Sequence, residues 1–151
     1  KLMKGDLLEV KSASIQPNNR IYLDYAHTRP TQSFIRCMAG PEFHLLSTQQ
    51  QKAFFDFNFT IDKQSDTMAY RINGDKIFQH QISMASSGVN MGIIQLLPDG
   101  NMLALMSDHQ TTGGYPRVLQ IIQQDIRVLA QYPHQQTFQF KIISLEEAIA
   151  V

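Results

Sequence analysis

Several features are scarce or missing in this sequence, and each scarcity narrows what the chain can be. Cys37 is the single cysteine among 151 residues, so no disulfide can form within the chain, which favours a reducing compartment. No apolar run approaches the roughly 20 residues that cross a bilayer, and the first ten residues lack the apolar segment of a signal peptide. We therefore expect a cytoplasmic chain that works without a membrane.

An excess of charge of either sign is missing too. The 13 Lys and Arg side chains balance 13 Asp and Glu side chains, so no net field attracts phosphate backbones, and we predict no nucleic-acid partner. Glycine-rich phosphate motifs, the G-x-S-x-G elbow of hydrolases and Cys-x-x-Cys pairs are also missing. The 5 histidines are too widely spaced for a local pair such as H-x-x-x-H, so we expect no metal site.

What is present is enough apolar material for one core. Hydrophobic residues make up 43% of the 151 residues, which predicts a single domain over residues 1–151. Cys37 stands in the apolar run SFIRCMA and is predicted to be a small buried side chain. The chain starts with lysine, and its opening is typical of the interior of a protein, so we expect a fragment of a longer chain.

Short apolar runs recur between turn signals, and their aromatic and β-branched content favours strands. These runs lie at residues 6–10, 20–26, 33–39, 57–61, 68–72, 91–97, 102–107, 117–122 and 137–143. Pro98, Asp99 and Gly100 separate two of them and predict an antiparallel hairpin. So many short strands predict a mainly β domain, a closed or nearly closed β-barrel, because closure removes exposed strand edges.

Two or three short helices accompany the strands. Ser47 with Gln50, and Ser144 with Glu147, form capping-box patterns ahead of apolar stretches. A third helix is predicted after Asp125 as its cap, ending before the proline at position 133.

The segment SDHQTTGGYPRV, residues 107–118, is the most polar stretch and carries a glycine pair. Gly113 and Gly114 allow backbone angles that other residues avoid, so the chain can turn sharply and present N–H groups to a ligand. Gln110, Thr111 and Thr112 add donors and acceptors beside this turn. An equally supported alternative is a tight connection whose threonines bond to their own backbone.

Other charged side chains offer less specific signals. Asp108 and His109 can in principle form an acid–base pair, but neighbouring residues of a strand face opposite ways. Arg71, in the polar stretch QSDTMAYRING, can grip a carboxylate with its guanidinium fork. The alternative is a structural arginine that ties strand ends to an aspartate or to loop carbonyls. A third polar stretch, residues 83–90, predicts a turn before a buried strand.

Four segments together resemble the allophanate hydrolase subunit 2 family. They are GPEFHLLS, QSDTMAYRING, GIIQLLPDG and, most specifically, SDHQTTGGYPRV. Their order and spacing agree with the family from KGDLL to SLEEA, nearly the whole chain. Family members are longer and the matches fall in their C-terminal half, so the resemblance implies that this chain is that half.

The resemblance implies a cyclophilin-like barrel that works with a partner of the subunit 1 family. One branch of the family serves ATP-dependent opening of the lactam 5-oxoproline to glutamate, in a complex with a B-type protein of the subunit 1 family and with a third, A-type protein. ATP is then used at the level of the complex. A second possibility is biotin-dependent carboxyl transfer, as in urea carboxylase. A third is a noncatalytic regulatory module that antagonises an inhibitor of a histidine kinase.

The resemblance also places residues at an active or subunit-facing surface. It implies catalytic roles for Gln110, Arg71 and Asp108, and substrate-binding roles for Thr111, Thr112, Gly113, Gly114, Tyr115 and Tyr70. The chain departs from the family's Ser-x-Arg-Met-Gly-Tyr-Arg block, because Thr67 and Ala69 replace the first arginine and the glycine. Thr67 supplies neither the charge nor the fork of a guanidinium, so Arg71 is the remaining candidate for an anion contact.

Overall fold

The computed structural model describes residue 7 and residues 32–150. The strands predicted at 6–10 and 20–26 lie, apart from Leu7, outside the described residues. Within that part of the chain no helix is long and apolar enough to cross a membrane.

Nine strands form the framework of the described residues. They are β1 (Phe34–Ala39), β2 (Phe59–Ile61), β3 (Ala69–Asn73), β4 (Ser87–Gly88), β5 (Ile93–Leu96), β6 (Met102–Leu105), β7 (Thr112–Gly113), β8 (Arg117–Ile121) and β9 (Thr137–Ile142). Seven of them close into a barrel in the order β1-β8-β5-β6-β3-β2-β9, while β4 and β7 pair as a separate small sheet. The parallel pairing of β1 with β9 completes the ring. The predicted closed, mainly β barrel is confirmed.

The predicted hairpin joins β5 to β6. Ile94 pairs with Ala104 in antiparallel register. Gly100 takes a φ of 89°, a left-handed conformation that favours glycine. Its N–H donates to the Leu97 carbonyl at 3.0 Å, and Asp99 Oδ1 accepts from the Asn101 N–H at 3.0 Å. The turn chemistry predicted from Pro-Asp-Gly is therefore confirmed.

Three α-helices lie within residues 32–150: α1 (Thr48–Asp56), α2 (Gln123–Leu129) and α3 (Leu145–Ile149). Both predicted capping boxes are confirmed, with Ser47 and Ser144 each accepting a hydrogen bond from the backbone three residues ahead. The cap predicted for α2 is wrong. Ile122 is the N-cap of that helix and makes no side-chain cap bond, and the helix ends at Leu129, well before the proline.

Asp125 instead lies in the first turn of α2, fully buried. Its carboxylate accepts from the Arg36 backbone N–H at 2.7 Å and from Arg36 Nη2 at 2.6 Å. A buried carboxylate gains more from a guanidinium fork than from helix-end N–H groups, which explains the error. The hydrogen bond with Asp125 raises the pKa of the Arg36 guanidinium. Asp125 therefore fastens α2 to β1.

Phenylalanine side chains fill much of the barrel interior. Phe54 from α1 packs against Phe78 with ring centroids 4.6 Å apart, and Phe59 packs against Phe140 at 5.0 Å. Such tilted contacts suit the charge distribution of aromatic rings. Cys37 is buried in the same core, as predicted, and burial raises the pKa of its thiol to about 12.

The outer side of β5 is covered as well. All four residues of β5 are buried. Ile94 belongs to the main core, whereas Ile93 packs outside the barrel with Val89 and Leu105. We call residues 86–89 and 110–116, which include β4 and β7, the outer layer. The stretch 83–90, predicted only as a turn, supplies one side of this layer. Its strand was not predicted because a strand of two residues leaves almost no pattern in a sequence.

Candidate functional site

Tyr70 and Arg71 are neighbours in β3 and lie on opposite faces of the barrel wall. Tyr70 pairs with Ala104 and packs against the main core. Arg71 pairs with Leu103, which packs against the apolar cluster outside the barrel that contains Ile93 and Leu105. Successive residues of a strand alternate between faces. The structure therefore does not bring these two predicted ligand contacts together.

Tyr70 lines a cavity of about 390 Å³ at one end of the barrel. We call it the Tyr70 cavity. It is lined by residues 65–67, Tyr70, Met106, Ser107, Ala130 and His134. Ligand pockets typically measure about 300–1,000 Å³, so this space suits a small molecule. The cavity joins the two polar stretches that stand out in the sequence, QSDTMAYRING and SDHQTTGGYPRV.

Backbone hydrogen bonds hold these two stretches side by side. The Met106 N–H donates to the Met68 carbonyl at 2.9 Å, and the Asp108 N–H donates to the Thr67 carbonyl at 3.0 Å. These bonds continue the β3–β6 pairing beyond the ends of both strands. The Tyr70 hydroxyl donates to the Ala130 carbonyl at 3.3 Å and so ties the wall to the end of α2. Three elements thus fix the shape of the cavity.

The lining of the cavity combines apolar surface with several polar groups. Asp66 contributes a carboxylate, whose Oδ1 already accepts from the N–H groups of Met68 and Ala69 at 2.9 and 3.1 Å. His134 contributes an imidazole, and the residues described around the cavity include no lysine or arginine. Hydroxyl groups of Ser107 and Thr67 add donors and acceptors. Such a lining favours a small neutral polar group over a polyanion.

Arg71 lies away from this cavity, on the outer side of β3. Its Nη2 is 3.6 Å from Asp99 Oδ2 in the β5–β6 turn, with the two side chains 38% and 52% exposed. This matches the alternative in which the arginine pairs with an aspartate at a strand end. Its role as an anion contact stays a prediction.

Asp108 and His109 do not pair with one another. The side chain of Asp108 is exposed. The ring of His109 donates from Nδ1 to the backbone carbonyl of Gln110 at 2.6 Å, because a carbonyl oxygen can only accept. The structure thus gives His109 a local structural contact.

Gln110, Gly113 and Tyr115 gather around one side chain of the barrel, Gln95. Gln110 Nε2 donates to Gln95 Oε1 at 3.3 Å, and Gln95 Nε2 donates to the Tyr115 carbonyl at 3.4 Å. Thr111, Thr112 and Tyr115 are exposed on the other side of the segment. The inward residues of the outer layer therefore anchor it, and the outward residues are presented to solvent.

Gly113, the first glycine of the pair, serves a different purpose from the one predicted. Gly113 belongs to β7, and among the described residues the glycines with positive φ are Gly92 and Gly100. A Cβ at Gly113 would stand 2.3 Å from Gln95 Nε2. The predicted sharp turn is thus wrong for this glycine, whose role is to let the backbone approach a buried amide.

Arg117, the residue after the Gly-Gly-Tyr-Pro motif, makes contacts that the sequence did not predict. Its Nε and Nη2 donate to the Glu42 carboxylate at 2.8 and 2.6 Å, and its Nη1 donates to the Gly88 carbonyl at 2.9 Å. The hydrogen bonds from Arg117 hold the pKa of Glu42 below its usual range. Arg117 therefore fastens β4 to the barrel. The signal that could have revealed it is its place inside SDHQTTGGYPRV, the most specific of the four segments.

The sequence of this chain also matches a known protein family. A family model described as "Carboxyltransferase domain, subdomain A and B" matches residues 1–142. The chain belongs to this family.

Within the described residues, no group of three or more histidine, cysteine or acidic side chains is placed to hold a metal ion.

Two curated relatives are each named as the C subunit of 5-oxoprolinase. The one from Escherichia coli K12 is 39% identical over 116 residues, which cover 76% of this chain and 37% of that protein. The one from Haemophilus influenzae is 32% identical over 120 residues, covering 79% and 39%. The resemblance drawn from the four segments is confirmed. The aligned part of the chain corresponds to less than two fifths of either relative.

Solved structures agree on the fold. The urea amidolyase of Kluyveromyces lactis superposes with a TM-score of 0.69 at 14% identity, over 80% of this chain and 8% of that one. The urea carboxylase of the same organism gives a TM-score of 0.69 at 14% identity, over 80% and 12%. At such identity the likeness shows the fold alone.

Proposed function

We propose that this chain is a domain of the C subunit of an ATP-dependent 5-oxoprolinase, which opens the lactam 5-oxoproline to glutamate. The observation that carries the proposal is the 39% identity with the Escherichia coli relative over 76% of this chain. The domain acts with a B-type protein of the subunit 1 family, and with a third, A-type protein.

The Tyr70 cavity is the proposed place for the lactam ring. Its size and its hydroxyl groups suit a small cyclic amide, and Thr67 and Ser107 are the proposed donors to the lactam oxygen as charge develops there. The substrate also carries a carboxylate, which the carboxylate of Asp66 disfavours. A cation for it must come from elsewhere in the assembled enzyme, because Arg71 lies on the other face of the barrel wall.

ATP does not fit the described residues of this cavity. A triphosphate needs several cationic or N–H donors, and the lining supplies a carboxylate and no lysine or arginine. The chain also lacks a glycine-rich phosphate motif. We therefore propose that ATP binds elsewhere in the assembled enzyme.

A second candidate is carboxyl transfer from biotin to an amide, and the description of the matching family model favours it. The lining fits the polar ureido ring of biotin: Thr67 and Ser107 would hold its polar atoms, and Met106 would contact its apolar part. Biotin would supply the carboxyl group. The third possibility, a regulatory module without catalysis, has no comparable support in the geometry.

The test uses the full-length protein mixed with its neighbouring subunits. We expect 5-oxoproline-dependent ATP hydrolysis and glutamate formation that stop when this protein is omitted, and no turnover by the 151-residue chain alone. Ser107→Phe, which fills the cavity from an exposed position, should lower kcat/KM by at least about tenfold. Ser83→Phe is the matched control, since Ser83 is exposed and is not among the residues lining the cavity.

The outcomes separate the candidates. An active complex in which Ser107→Phe behaves like Ser83→Phe would keep the assignment to this enzyme and remove the cavity from it. Activity with biotin and an amide, in place of 5-oxoproline, would establish carboxyl transfer. Loss of both activities in every mixture, with the complex still assembling, would leave the regulatory role.

A further inference from the structure

Gln95 is a polar side chain with no exposed surface, in a strand whose other three residues are isoleucine and leucine. Buried amides carry a cost unless they are hydrogen-bonded. Both polar atoms of the Gln95 amide are hydrogen-bonded, because its oxygen accepts from Gln110 and its nitrogen donates to the Tyr115 carbonyl. Both bonds reach the outer layer rather than a neighbouring strand.

The backbone around Gln95 is shaped for this contact. The pairing of β5 with β8 shifts register between Ile94 and Gln95, an irregularity of the kind that re-aims a side chain. On the opposite side, Gly113 is the residue whose missing Cβ leaves room for the amide group. Gln95 and Gly113 therefore fit each other as a pair.

Few other contacts hold the outer layer to the barrel, and one of them is the Leu96 N–H of β5, which donates to the Pro116 carbonyl at 2.9 Å. β4 and β7 pair over two residues each, too few to be stable alone. Val89 adds an apolar contact with Ile93 and Leu105, and Arg117 holds the Gly88 carbonyl on the β4 side. On the β7 side the side-chain hydrogen bonds to the barrel come from Gln95.

We propose that Gln95 is a positioning residue, which holds residues 110–115 in one place so that Thr111, Thr112 and Tyr115 face outward in a constant geometry. The proposal rests on the proposed function, because the resemblance assigns these three residues to the active or subunit-facing surface. Gln110 is then an anchor of the segment through its bond to Gln95. The outward residues then contact the partner protein, since none of them lines the Tyr70 cavity.

The first test measures position directly, in the full-length protein, by hydrogen exchange. Gln95→Met keeps most of the side-chain volume and removes both hydrogen bonds. We expect the amides of residues 110–115 to exchange about tenfold faster, with β9 unchanged. The matched control is Gln139→Met, because Gln139 lies in β9 and its amide donates to the Asp56 carbonyl, away from the outer layer. Unchanged exchange at 110–115 in Gln95→Met would overturn the proposal.

The second test asks whether Gln95 and Gly113 act as a pair. In the native background, Gly113→Ala should accelerate hydrogen exchange of residues 110–115 by about tenfold. In the Gln95→Ala background, where the amide that the new Cβ would contact is gone, the acceleration should be less than about twofold. Gly88→Ala is the control, since a Cβ there meets nothing within 4 Å. An equal effect of Gly113→Ala in both backgrounds would contradict the pairing.

The third test separates a positioning role from a purely structural one, in the assembled complex. We expect Gln95→Met to lower kcat/KM for 5-oxoproline by about tenfold while the melting temperature stays close to that of Gln139→Met. Full activity of Gln95→Met would reduce Gln95 to a structural contact and overturn the proposal. If the native complex itself does not turn over 5-oxoproline, the proposed function fails, and the two exchange tests decide the positioning role alone.

Discussion

The barrel interior and the outer layer are held together by different kinds of contact. The interior is a continuous cluster of apolar side chains with the rings of Phe59, Phe138 and Phe140 at its centre. The outer layer contains two strands of two residues each, held to the barrel by hydrogen bonds from Gln95, Arg117 and the Leu96 N–H. Burial of apolar surface is non-directional and adds up over many residues. A few directional bonds, by contrast, determine where the outer layer lies, so single substitutions there can displace the segment without unfolding the barrel.

The arginines repeat this contrast. Arg71, the predicted anion contact, lies 3.6 Å from a half-exposed aspartate, where an ion pair contributes little. Arg36 and Arg117 each approach a carboxylate at 2.6 Å and are themselves mostly covered. The arginines that matter most for the architecture are those that join separate elements.

The largest expected loss of stability comes from removing a large side chain from the barrel interior. Phe59→Ala should lower the free energy of unfolding by about 4 kcal/mol, because it leaves a cavity among fully buried rings. The loss should appear as one cooperative shift of the urea midpoint, with exchange rising throughout the barrel. A response confined to residues 110–115 would break the contrast between the two regions.

Asp125→Ala tests the directional bond that lies closest to the core. It should cost about 3 kcal/mol, because the Arg36 guanidinium loses its carboxylate. Urea unfolding measures the loss, and exchange should rise first in α2. Gln124→Ala, at an exposed neighbouring position, is the control and should change stability by less than about 0.5 kcal/mol. Equal effects of the two variants would mean that α2 is held by apolar packing alone.

Acid should loosen the outer layer through Glu42, with the smallest of the three effects. The pKa of Glu42 is lowered in the folded state, so its contribution is complete above the ordinary glutamate pKa of about 4.3 and is lost as the pH falls through the folded value. Glu42→Gln should reduce stability by about 2 kcal/mol at neutral pH and flatten the fall below that pKa. Urea unfolding at several pH values measures both slopes. Parallel curves for the two proteins would rule out Glu42 as the titrating group.

Much of the framework is predictable because it depends on local patterns. The strands from 33–39 onward, the Pro-Asp-Gly hairpin and both capping boxes follow from alternation, turn residues and a three-residue spacing. The errors concern residues whose partners are distant in sequence. The neighbours of Asp125 predict a cap, yet its partner Arg36 is 89 residues away. The setting of Gly113 predicts a turn, yet the atoms that a Cβ there would meet belong to Gln95, which lies far away in the chain.

The predicted site residues divide in the same way. The two polar stretches do meet, at the Tyr70 cavity, and both stand out in the sequence. Not all of their side chains point into it, because Tyr70 and Arg71 alternate across the barrel wall and Gln110 turns inward to Gln95. His134 lines the cavity without any signal in the sequence, since only the position of the segment after α2 brings it there.

The sequence by itself determined the seven barrel strands, the barrel class, two of the three helix caps and the family, because each depends on residues that are close in the chain or on a contiguous motif. The tertiary structure alone decided which polar side chains line the cavity, which arginines are fastened to carboxylates, and why Gly113 is a glycine. Closure of the barrel sets these contacts, because it brings together residues that lie far apart in the chain. A local sequence pattern does not show which distant residues will meet.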